Sequence, residues 1–442
     1  DVPRDAAFAS PIGRGGKGGR QYLTFEPDGG GFNNARMSME TLVVMAHAMG
    51  RTLVMPPSQG IYLLRKDRDK QRVHFSFDDF YHLEQVGHEH AGLDIISMED
   101  FLKAEAVTGR LRNKTSGAVA FPPQNRTDWD GLDPKALKEY LRDVTLTPLT
   151  WKPEACLAAF PSDSGPEHFA ELTDMLTEIK KDKKKSKWQE YDDAPTAVDA
   201  APLERMREAV SGVGKQLCIY DQEMQAAQVV HFMCYHKMRV RMLTHFYAFL
   251  FFEDWRHDLW SKRFVRDHLR YSDEIQCAAA RVVAAVRDRA RRTVAIPHSN
   301  PEGLFDSFHV RRGDFQYKAT RLEAQQIYDN TKGMLPEGAT VFVATDHAGK
   351  PWFRPLAEHY DLVFLNDFQE ELRGVNSNFY GMIDQLVASR GRTFFGCYHS
   401  TFSGFIFRMR GYHTQKEQLD GWEQGTLHHS FYYTGDKKER NL

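Results

Sequence analysis

The chain contains 442 residues, with 58 lysines and arginines against 60 aspartates and glutamates, and its formal net charge is −2. This balance argues against a protein built to hold nucleic acid, which usually carries a basic face or stripe. Hydrophobic residues make up 41% of the chain, so it can form buried cores and is not disordered. Its most apolar stretch, 242–252, is too short to span a membrane. The length predicts two or three domains, since a domain has about 150 residues.

The five cysteines include no CxxC pair, which excludes a zinc ribbon and a thioredoxin-type site. They allow at most two disulfides and do not by themselves fix the redox compartment. Asn113 and Asn125 each begin an N-glycosylation sequon and are candidate acceptors. The sequence begins at Asp1 without a methionine or a signal-like apolar run. We therefore expect a processed or trimmed chain from which any targeting segment is missing.

An ordered pattern begins after a glycine-rich segment of 20 residues that is expected to be flexible. Residues 22–25 predict a strand, 35–49 predict a helix that stops at Gly50, and 52–55 predict a second strand. A strand, a glycine turn, a helix and a strand in about 35 residues form a βαβ unit, which implies a parallel sheet.

The middle of the chain carries fewer signals. Residues 94–102 suggest a further strand and helix, whereas 105–205 suggest a loop insertion. The run 180–187 contains six lysines in eight residues. It can be interpreted as a site for an anionic partner, but short charge runs usually face solvent, and we favour that interpretation.

Two helical segments, 221–252 and 255–292, are predicted next. Histidines and a cysteine occur in the first of them, and a metal site is one interpretation. They lie among aromatic residues, however, and no single face collects them all, so packed or half-exposed side chains are the favoured interpretation. These residues are His231, Cys234, His236 and His245.

From residue 304 the alternation of strands and helices returns. The predicted elements are strands at 307–310, 340–344, 362–365 and 393–395, and helices near 321–333, 349–358, 378–389 and from 401 onward. This order predicts a second doubly wound unit with ligand chemistry at the carboxyl ends of its strands. The fold class is therefore α/β, with Rossmann-like domains at 21–220 and 221–442, the second preceded by helices.

The first motif with chemical content is the glycine turn Gly29-Gly30-Gly31-Phe32-Asn33, between a predicted strand and helix. Glycine lets the backbone approach a ligand closely, and a helix N-terminus offers N–H groups at the positive end of its dipole. Both properties favour a phosphate. The turn is neither GxGxxG nor a P-loop, and a tight turn that needs positive φ is the alternative.

The second motif is a pair of adjacent arginines, Arg311 and Arg312, directly after the strand at 307–310. Both can hardly be ordinary surface residues, because one must point into the crevice at the sheet edge. The planar guanidinium matches a phosphate with paired charge-assisted hydrogen bonds, and Asp314 could hold one of the two in place. A structural arginine–aspartate pair is the alternative.

The third motif follows the strand at 393–395, where a turn of small residues leads into a helix. Ser400, Thr401 and Ser403 supply hydroxyls and backbone N–H groups at the start of that helix. These groups suit a second anion site, and simple N-capping is the alternative.

Three phosphate-binding turns in two α/β units favour a diphosphate ligand. The sequence has no Walker motif, which argues against an ATPase, and no Asp-x-Asp triplet at a strand end to hold a metal-bridged diphosphate. Arginine would then have to neutralise the leaving group. This combination predicts metal-independent transfer from a nucleotide sugar.

These motifs resemble those of the GDP-fucose O-fucosyltransferase family, which includes protein O-fucosyltransferases and divergent plant, algal and fungal members. They occur in the family's order, and 105–205 carries no match. The matching pieces are Gly30-Gly31-Phe32-Asn33-Asn34-x-Arg36, His309-Val310-Arg311-Arg312-Gly313-Asp314-Phe315, Ile383-Asp384-Gln385, and Phe395-Gly396 followed by Ser400-Thr401-Phe402-Ser403.

The resemblance implies a GT-B-like fold, with two Rossmann-like domains facing each other across a cleft that holds the donor. It implies inverting transfer from GDP-fucose, with GDP as product and no metal or cofactor. Arg311 would bind the β-phosphate and stabilise the departing GDP. His309 and Asn33 would contact the diphosphate or the sugar, and Asp384 would accept hydrogen bonds from guanine. The implied donor site comprises Gly30, Gly31, Phe32, Asn33, Arg36, His309, Arg312, Asp384, Ser400, Thr401, Phe402 and Ser403.

One departure from the family concerns the general base. The member that acts on thrombospondin repeats has Gly-Glu-Gly-Phe-Asn, and its Glu is a proposed base, whereas this chain has Gly30 there. A base must lie within hydrogen-bond reach of the acceptor hydroxyl. Asp28 is the candidate nearby, and the alternative is a reaction that relies on departure of the leaving group.

We therefore predict an enzyme that moves fucose from GDP-fucose to a hydroxyl, with Ser or Thr of a secreted protein as the favoured acceptor. A glycan-directed fucosyl- or rhamnosyltransferase of the same fold is one alternative, and a non-catalytic binder of nucleotide sugars or glycans is another. The expected partners are a nucleotide sugar and a protein or glycan, with no nucleic acid. The expected location is the lumen of the Golgi or ER. The full-length protein is expected to carry either an N-terminal type II membrane anchor or a signal that is removed, and this sequence contains neither.

Overall fold

The computed structural model divides into two compact units, Asp1–Arg270 and Tyr271–Leu442. The glycines at 13–18, the lysine run at 180–187 and Asp314 lie outside the described residues. The structure describes residues 3–10, 12, 19–62, 64, 74–162, 170, 171, 174, 216–293, 300–313, 315–417, 426, 427, 429–434, 440 and 441.

Helices and strands alternate along most of the described chain. The strands are β1 (Tyr22–Phe25), β2 (Thr52–Met55), β3 (Ile95–Ser97), β4 (Cys156–Phe160), β5 (Gln216–Ile219), β6 (Val229–Phe232), β7 (Leu250–Phe252), β8 (Asp306–Val310), β9 (Thr340–Thr345), β10 (Asp361–Val363), β11 (Phe394–Gly396), β12 (Thr426–Leu427), β13 (Ser430–Tyr432) and β14 (Arg440–Asn441). The α-helices are α1 (Pro3–Ala6), α2 (Phe32–Met49), α3 (Leu83–Glu89), α4 (Met98–Phe101), α5 (Lys135–Val144), α6 (Gln222–Ala226), α7 (Phe246–Phe249), α8 (Trp255–Asp267), α9 (Asp273–Arg292), α10 (Ala324–Thr331), α11 (Arg354–Ala357), α12 (Tyr380–Ser389) and α13 (Thr401–Glu417). None of the helices in these described ranges has the length and apolar character needed to cross a bilayer.

The first unit contains a parallel sheet with the order β3-β2-β1-β6. Its predicted βαβ unit is confirmed, with α2 beginning at Phe32, slightly earlier than the sequence pattern indicated. Nearly every residue of α2 is buried, so the helix packs on all sides. It ends at Gly50, whose φ of 63° is a left-handed conformation that glycine adopts without steric cost.

The prediction of a helical segment over 221–252 is wrong. This stretch contains only the short helices α6 and α7, and it contributes β6 and β7 to two parallel sheets. The apolar residues of β6 are fully buried beside β1. Periodicity alone does not separate a short buried strand from a buried helical turn, and here the two adjacent valines, 229 and 230, favour the strand.

A smaller parallel sheet with the order β5-β4-β7 also belongs to the first unit. A disulfide between Cys156 and Cys218 joins its neighbouring strands β4 and β5. Cys234, Cys277 and Cys397 are free thiols. The bridge links Cys156, inside the insertion predicted at 105–205, to Cys218 beyond it. The predicted loop insertion contains α5 and β4, and most of its second half lies outside the described residues.

The second unit is a five-stranded parallel sheet with the order β10-β9-β8-β11-β13. Numbered in chain order within this sheet, the strands follow the order 3-2-1-4-5 of doubly wound sheets, so the predicted α/β class and parallel strands are confirmed. Phe308, Val343 and Phe395 contribute to the buried core of this unit. The strand order reverses between β8 and β11, and ligands usually bind at such a point.

Residues 221–270 were assigned to the second domain by sequence, yet β6 and β7 pair with strands of the first unit. The packing of α9 against α12 and β9 belongs to the second unit. The predicted domain limits at 20/21 and 220/221 stay predictions.

The disulfide yields a test of stability. Replacing Cys156 and Cys218 by alanine should lower the free energy of unfolding by about 4 kcal/mol, because the unfolded chain regains the entropy of a loop with a sequence separation of 62. Urea unfolding of the oxidised protein measures this difference. The matched control is Cys277→Ala, which removes an exposed free thiol and should leave the transition unchanged. A double variant as stable as the wild type would contradict a formed bridge.

Candidate active site

The carboxyl ends of β8 and β11 meet beside the point where the strand order of the second unit reverses. Parallel pairing aligns Ser307 with Phe394 and Phe308 with Phe395. The segments that follow these two strands therefore leave the sheet at the same edge. They carry the arginine pair and the serine-rich turn that sequence analysis selected.

Asp346, directly after β9, organises the turn that follows β8. Its carboxylate accepts hydrogen bonds from the backbone N–H of Arg312 at 2.7 Å and of Gly313 at 2.9 Å. The same carboxylate forms an ion pair with the Arg311 guanidinium at 2.6 Å. A Cβ at position 313 would collide with this carboxylate, which explains the glycine after the two arginines. Asp346 thus fixes both the backbone of the turn after β8 and the side chain of Arg311. We call the region around Arg311 and the N-terminus of α13 the candidate phosphate site.

The two adjacent arginines have different surroundings. The Arg312 guanidinium bonds to Glu323 at 3.1 Å and to the carbonyl of Leu322 at 3.0 Å. It also lies 4.6 Å from the ring centroid of Trp352. These contacts favour a structural role for Arg312 over the donor-binding role that the resemblance implied. Arg311, by contrast, has Asp346 as its ion-pair partner and lies beside the Phe315 ring.

His309 connects β8 with the turn after β11. Its Nδ1 lies 2.7 Å from the Ser403 hydroxyl, which also accepts a hydrogen bond from the backbone N–H of Cys397 at 2.8 Å. The imidazole stacks on the Phe402 ring at a centroid distance of 4.3 Å. Burial lowers the pKa of His309 to about 3, so the imidazole is neutral at physiological pH. It acts as a neutral hydrogen-bonding group beside the candidate phosphate site.

The turn between β11 and α13 holds His399 in a left-handed conformation with a φ of 62°. Left-handed residues other than glycine are uncommon, and they concentrate at ligand sites. Ser400 follows, and its carbonyl accepts the backbone hydrogen bond of Gly404 at 2.9 Å, which begins the helix. Ser400 and Thr401 are half-buried at the N-terminus of α13, where backbone N–H groups favour an anion.

Helix α12 carries Asp384, and the residue after it contacts α13. Its neighbour Gln385 donates from Nε2 to the carbonyl of Phe402 at 3.3 Å and accepts from the Tyr271 hydroxyl at 3.0 Å. The Oδ1 atom of Asp384 is buried and has no hydrogen-bond partner among the described residues. Burial raises the pKa of Asp384 well above its ordinary value. A buried carboxyl without a partner is costly, and it therefore suggests a ligand that donates hydrogen bonds.

In the first unit, Asp28 closes the glycine turn after β1. It accepts two hydrogen bonds from the Arg241 guanidinium, both at 2.8 Å, and one from the backbone N–H of Gly30 at 2.8 Å. Burial opposes ionisation, but these hydrogen bonds outweigh it and lower the pKa of Asp28 below its ordinary value. The carboxylate is already paired and is a poor proton acceptor, so the geometry favours a structural role over that of a general base.

The glycine turn is crowded at the position of the family's glutamate, where a side chain would have to displace its neighbours. A Cβ on Gly30 would lie 2.9 Å from the Asp28 carboxylate and would collide with the Asn34 side chain. Gly31 accepts the backbone bonds of Asn34 and Ala35, which start α2. Phe32 is buried against Phe80 at a centroid distance of 4.5 Å.

Arg36 lies inside the first unit. It is fully buried and forms an ion pair with Glu40, one helical turn away, at 2.6 Å. Its Nε donates to the Asn33 side-chain oxygen at 3.4 Å. Arg36 therefore holds the Asn33 side chain at the start of α2 through a hydrogen bond. Arg36 is buried, whereas Asn33 is half-buried.

Sequence analysis missed a buried polar network directly after β1. Glu26 accepts two hydrogen bonds from Arg142, each at 2.7 Å, and one from His231 Nε2 at 3.2 Å. His231 Nδ1 lies 2.8 Å from the Thr24 hydroxyl, which donates to it because Nε2 carries the proton. Burial opposes ionisation, but the bonds from His231 and Arg142 lower the pKa of Glu26 to about 2. The network joins β1, α5 and β6 below the glycine turn.

A cavity of about 620 Å³ lies beside the same turn in the first unit. Asp28 and Gly29 border it, together with Tyr62, Phe77 and Lys138. The cavity opens at the carboxyl ends of β1 and β2, because Pro27 and Pro56 also line it. Its walls combine aromatic, proline and polar side chains.

The sheet topology defines an α/β protein, and the arginine–histidine–serine cluster forms a candidate anion-binding site in its second unit. The profile of the GDP-fucose protein O-fucosyltransferase family matches residues 22–413. The chain belongs to this family, and it is accordingly a glycosyltransferase of the fucosyltransferase type. No curated protein matches the chain significantly.

Solved fucosyltransferases are similar to this chain at low identity. The crystal structure of POFUT1 in complex with GDP-fucose is 13% identical, with coverage of 90% of this chain and 96% of that one and a TM-score of 0.38. The fucosyltransferase NodZ from Bradyrhizobium is 14% identical, with coverage of 88% and 93% and a TM-score of 0.38. NodZ α-1,6-fucosyltransferase soaked with GDP-fucose gives a TM-score of 0.37 at 14% identity, with coverage of 89% and 93%.

The role of Asp346 yields a prediction. Asp346→Asn keeps one oxygen as an acceptor for the backbone N–H groups of the turn, replaces the other oxygen with an NH2 group and removes the charge that orients Arg311, so GDP affinity should fall about tenfold. Isothermal titration calorimetry measures the change. The matched control is Glu323→Gln, which removes the charged partner of Arg312 and should leave GDP affinity unchanged. Equal GDP affinity of wild type and Asp346→Asn would remove the positioning role.

Proposed function

We propose that the chain transfers fucose from GDP-fucose to an acceptor hydroxyl, with inversion at the sugar carbon and without a catalytic metal. The observation that carries this proposal is the Arg311 guanidinium, oriented by Asp346 at the point where the strand order reverses. Family membership supports the choice of donor. The neutral His309 and the N-terminus of α13 complete a site for a diphosphate.

Arg311 is proposed to act on the leaving group. As the bond between fucose and the β-phosphate breaks, negative charge grows on the departing oxygen, and a preorganised guanidinium stabilises it. The ion pair with Asp346 holds the guanidinium before the donor arrives, so little reorganisation is needed during the reaction. Arginine thus supplies the charge that a metal ion provides in other nucleotide-sugar enzymes.

Asp384 is proposed to select guanine. Burial favours the neutral form of Asp384, and the two donors of guanine, N1–H and the N2 amine, would favour its ionised form, which accepts two hydrogen bonds at once. Uracil offers a single N–H. The buried Oδ1 of Asp384 has no partner among the described residues. The bound base would supply the missing donors, which would explain why α12 carries a carboxyl with a buried, unpaired oxygen.

The proton of the acceptor hydroxyl is proposed to leave without help from the glycine turn. Asp28 is paired with Arg241, and Gly30 has no side chain that could act as a base. A mechanism driven by departure of GDP suits this arrangement: the bond between fucose and the β-phosphate oxygen breaks, and the acceptor hydroxyl bonds to the cationic sugar carbon. The hydroxyl proton then passes late to solvent water. The acceptor approaches the face of the sugar opposite GDP, which inverts the configuration.

The acceptor is proposed to bind in the cavity of the first unit beside Gly29. A Ser or Thr hydroxyl of a secreted protein is the favoured acceptor, and a glycan hydroxyl is the alternative. The disulfide between Cys156 and Cys218 supports an oxidising compartment such as the ER or Golgi lumen. Asn125 is exposed, as glycosylation in such a compartment requires, whereas the Asn113 side chain accepts two backbone hydrogen bonds.

The arginine pair tests the mechanism directly. Arg311→Ala should lower kcat for transfer by about 10² to 10³-fold, because it removes the stabilising charge from the leaving group. Arg312→Ala is the matched control on the neighbouring residue. It should retain kcat within a few fold and lower thermal stability, since its contacts are with Glu323 and Trp352. Release of GDP from GDP-fucose with acceptor measures turnover. Equal turnover of wild type and Arg311→Ala would leave a binding function as the better explanation.

Replacement of Asp384 by asparagine should change stability and GDP affinity in opposite directions. Because the folded pKa is raised, the folded state holds more protons than the unfolded state above about pH 4, and wild-type stability falls as pH rises toward the folded pKa. Asp384→Asn should lose this slope and gain stability at neutral pH, yet bind GDP at least tenfold more weakly. Urea midpoints against pH and calorimetry give the two readouts. Unchanged GDP affinity would argue against guanine recognition by Asp384.

A further inference from the structure

Two helices of the first unit end next to each other, and each end carries a histidine. Helix α3 ends at Glu89 and is followed by His90, and helix α8 is followed by His268. One ligand atom from each of Glu89, His90 and His268 lies within 4.8 Å of the others. The two imidazole rings are 4.2 Å apart between centroids at an interplanar angle of 74°. Side chains from two separate elements therefore converge on one point.

His90 is a buried imidazole without hydrogen bonds. It is 5% exposed, and neither of its ring nitrogens has a partner among the described residues. Its ring packs edge-on against Phe264 at 4.9 Å. Buried histidines elsewhere in this unit are paired: His47 bonds through one nitrogen to His257 and through the other to the carbonyl of Phe8. The unpaired nitrogens of His90 require another partner.

We infer that Glu89, His90 and His268 bind a divalent transition-metal ion of the zinc type. Two imidazoles and one carboxylate are a common zinc ligand set, whereas magnesium and calcium prefer oxygen ligands. Zinc–ligand distances of about 2.0 to 2.1 Å place tetrahedral ligand atoms about 3.3 Å apart. Shifts of about 1 Å would bring the atoms to that spacing, and Glu89 is exposed and free to adjust its rotamer. Water would occupy the fourth position.

The helix ends add a favourable field. His90 and His268 occupy the C-cap positions of α3 and α8. Backbone carbonyls point out of a helix at its C-terminus, so the negative ends of both dipoles favour a cation between them. A cavity of about 550 Å³ borders His90 and offers a path for the ion.

The consequence of binding is structural. An ion held by both helix ends fixes α3 against α8, whose Trp260 stacks on His47 of α2 at a centroid distance of 3.6 Å. Helix α2 begins at the glycine turn. The ion thus stabilises the packing of the first unit and takes no part in the proposed departure of GDP, which uses Arg311 in the second unit.

The test is a titration of the untagged full chain with Zn²⁺ by calorimetry, after dialysis against a chelator, together with thermal unfolding with and without the ion. One equivalent should bind and raise the Tm, because a ligand that binds the folded state stabilises it. Glu89→Gln and His268→Gln keep similar shapes but remove ligands, and each should weaken binding at least tenfold. Glu89→Gln changes an exposed side chain, so it should fold like the wild type.

His88→Ala is the matched control, because His88 is an exposed histidine in the last turn of α3 outside the cluster. Its titration should superimpose on that of the wild type. The inference is overturned if the wild type binds no Zn²⁺ at one equivalent, or if the Glu89 and His268 variants bind as tightly as the wild type. Either result is independent of donor turnover, so it does not bear on the proposed transferase activity.

Discussion

The parallel pairing of β8 with both β9 and β11 is the constraint on which the candidate active site depends. Parallel strands end at the same edge of a sheet, so three separate segments of the chain begin there. Asp346 after β9 can then fix the turn after β8, and Ser403 after β11 can contact His309. If one of these strands were antiparallel, the segment after it would leave at the opposite edge of the sheet and the contact would not form. A shift in register by one residue would turn its side chains to the other face of the sheet.

Asp384 differs from the buried aspartate, glutamate and arginine side chains among the described residues, which have partners. Arg410, for example, is buried and donates to the carbonyls of Gly391, Arg392 and His429, so it is structural. The near-zero net charge is a sum over the whole sequence and does not describe the charge at an individual site. Asp384 has a buried oxygen without a partner among the described residues. Such an oxygen lowers the stability of the folded protein, and we therefore connect this carboxyl with function.

Sequence patterns predicted the elements whose period and turn residues agree, such as β1, α2 and β2 and the strands β8 to β11. They did not predict β12, β13 and β14. They failed at 221–252, because short apolar runs have no distinguishing period. Asp346 was missed although it follows a buried strand, since an aspartate there is also an ordinary turn residue. One sequence does not reveal contacts between distant parts of the chain. It therefore could not assign different roles to Arg311 and Arg312, and it could not pair Cys156 with Cys218.

The central claim is that the second unit recognises a guanine nucleoside diphosphate through Arg311 and Asp384. Isothermal titration calorimetry of the wild-type chain with GDP and with UDP, in the same buffer containing a chelator, tests it most directly. The account predicts that GDP binds at least about tenfold more tightly than UDP, because only guanine pairs both oxygens of Asp384. UDP affinity equal to or greater than GDP affinity would contradict it.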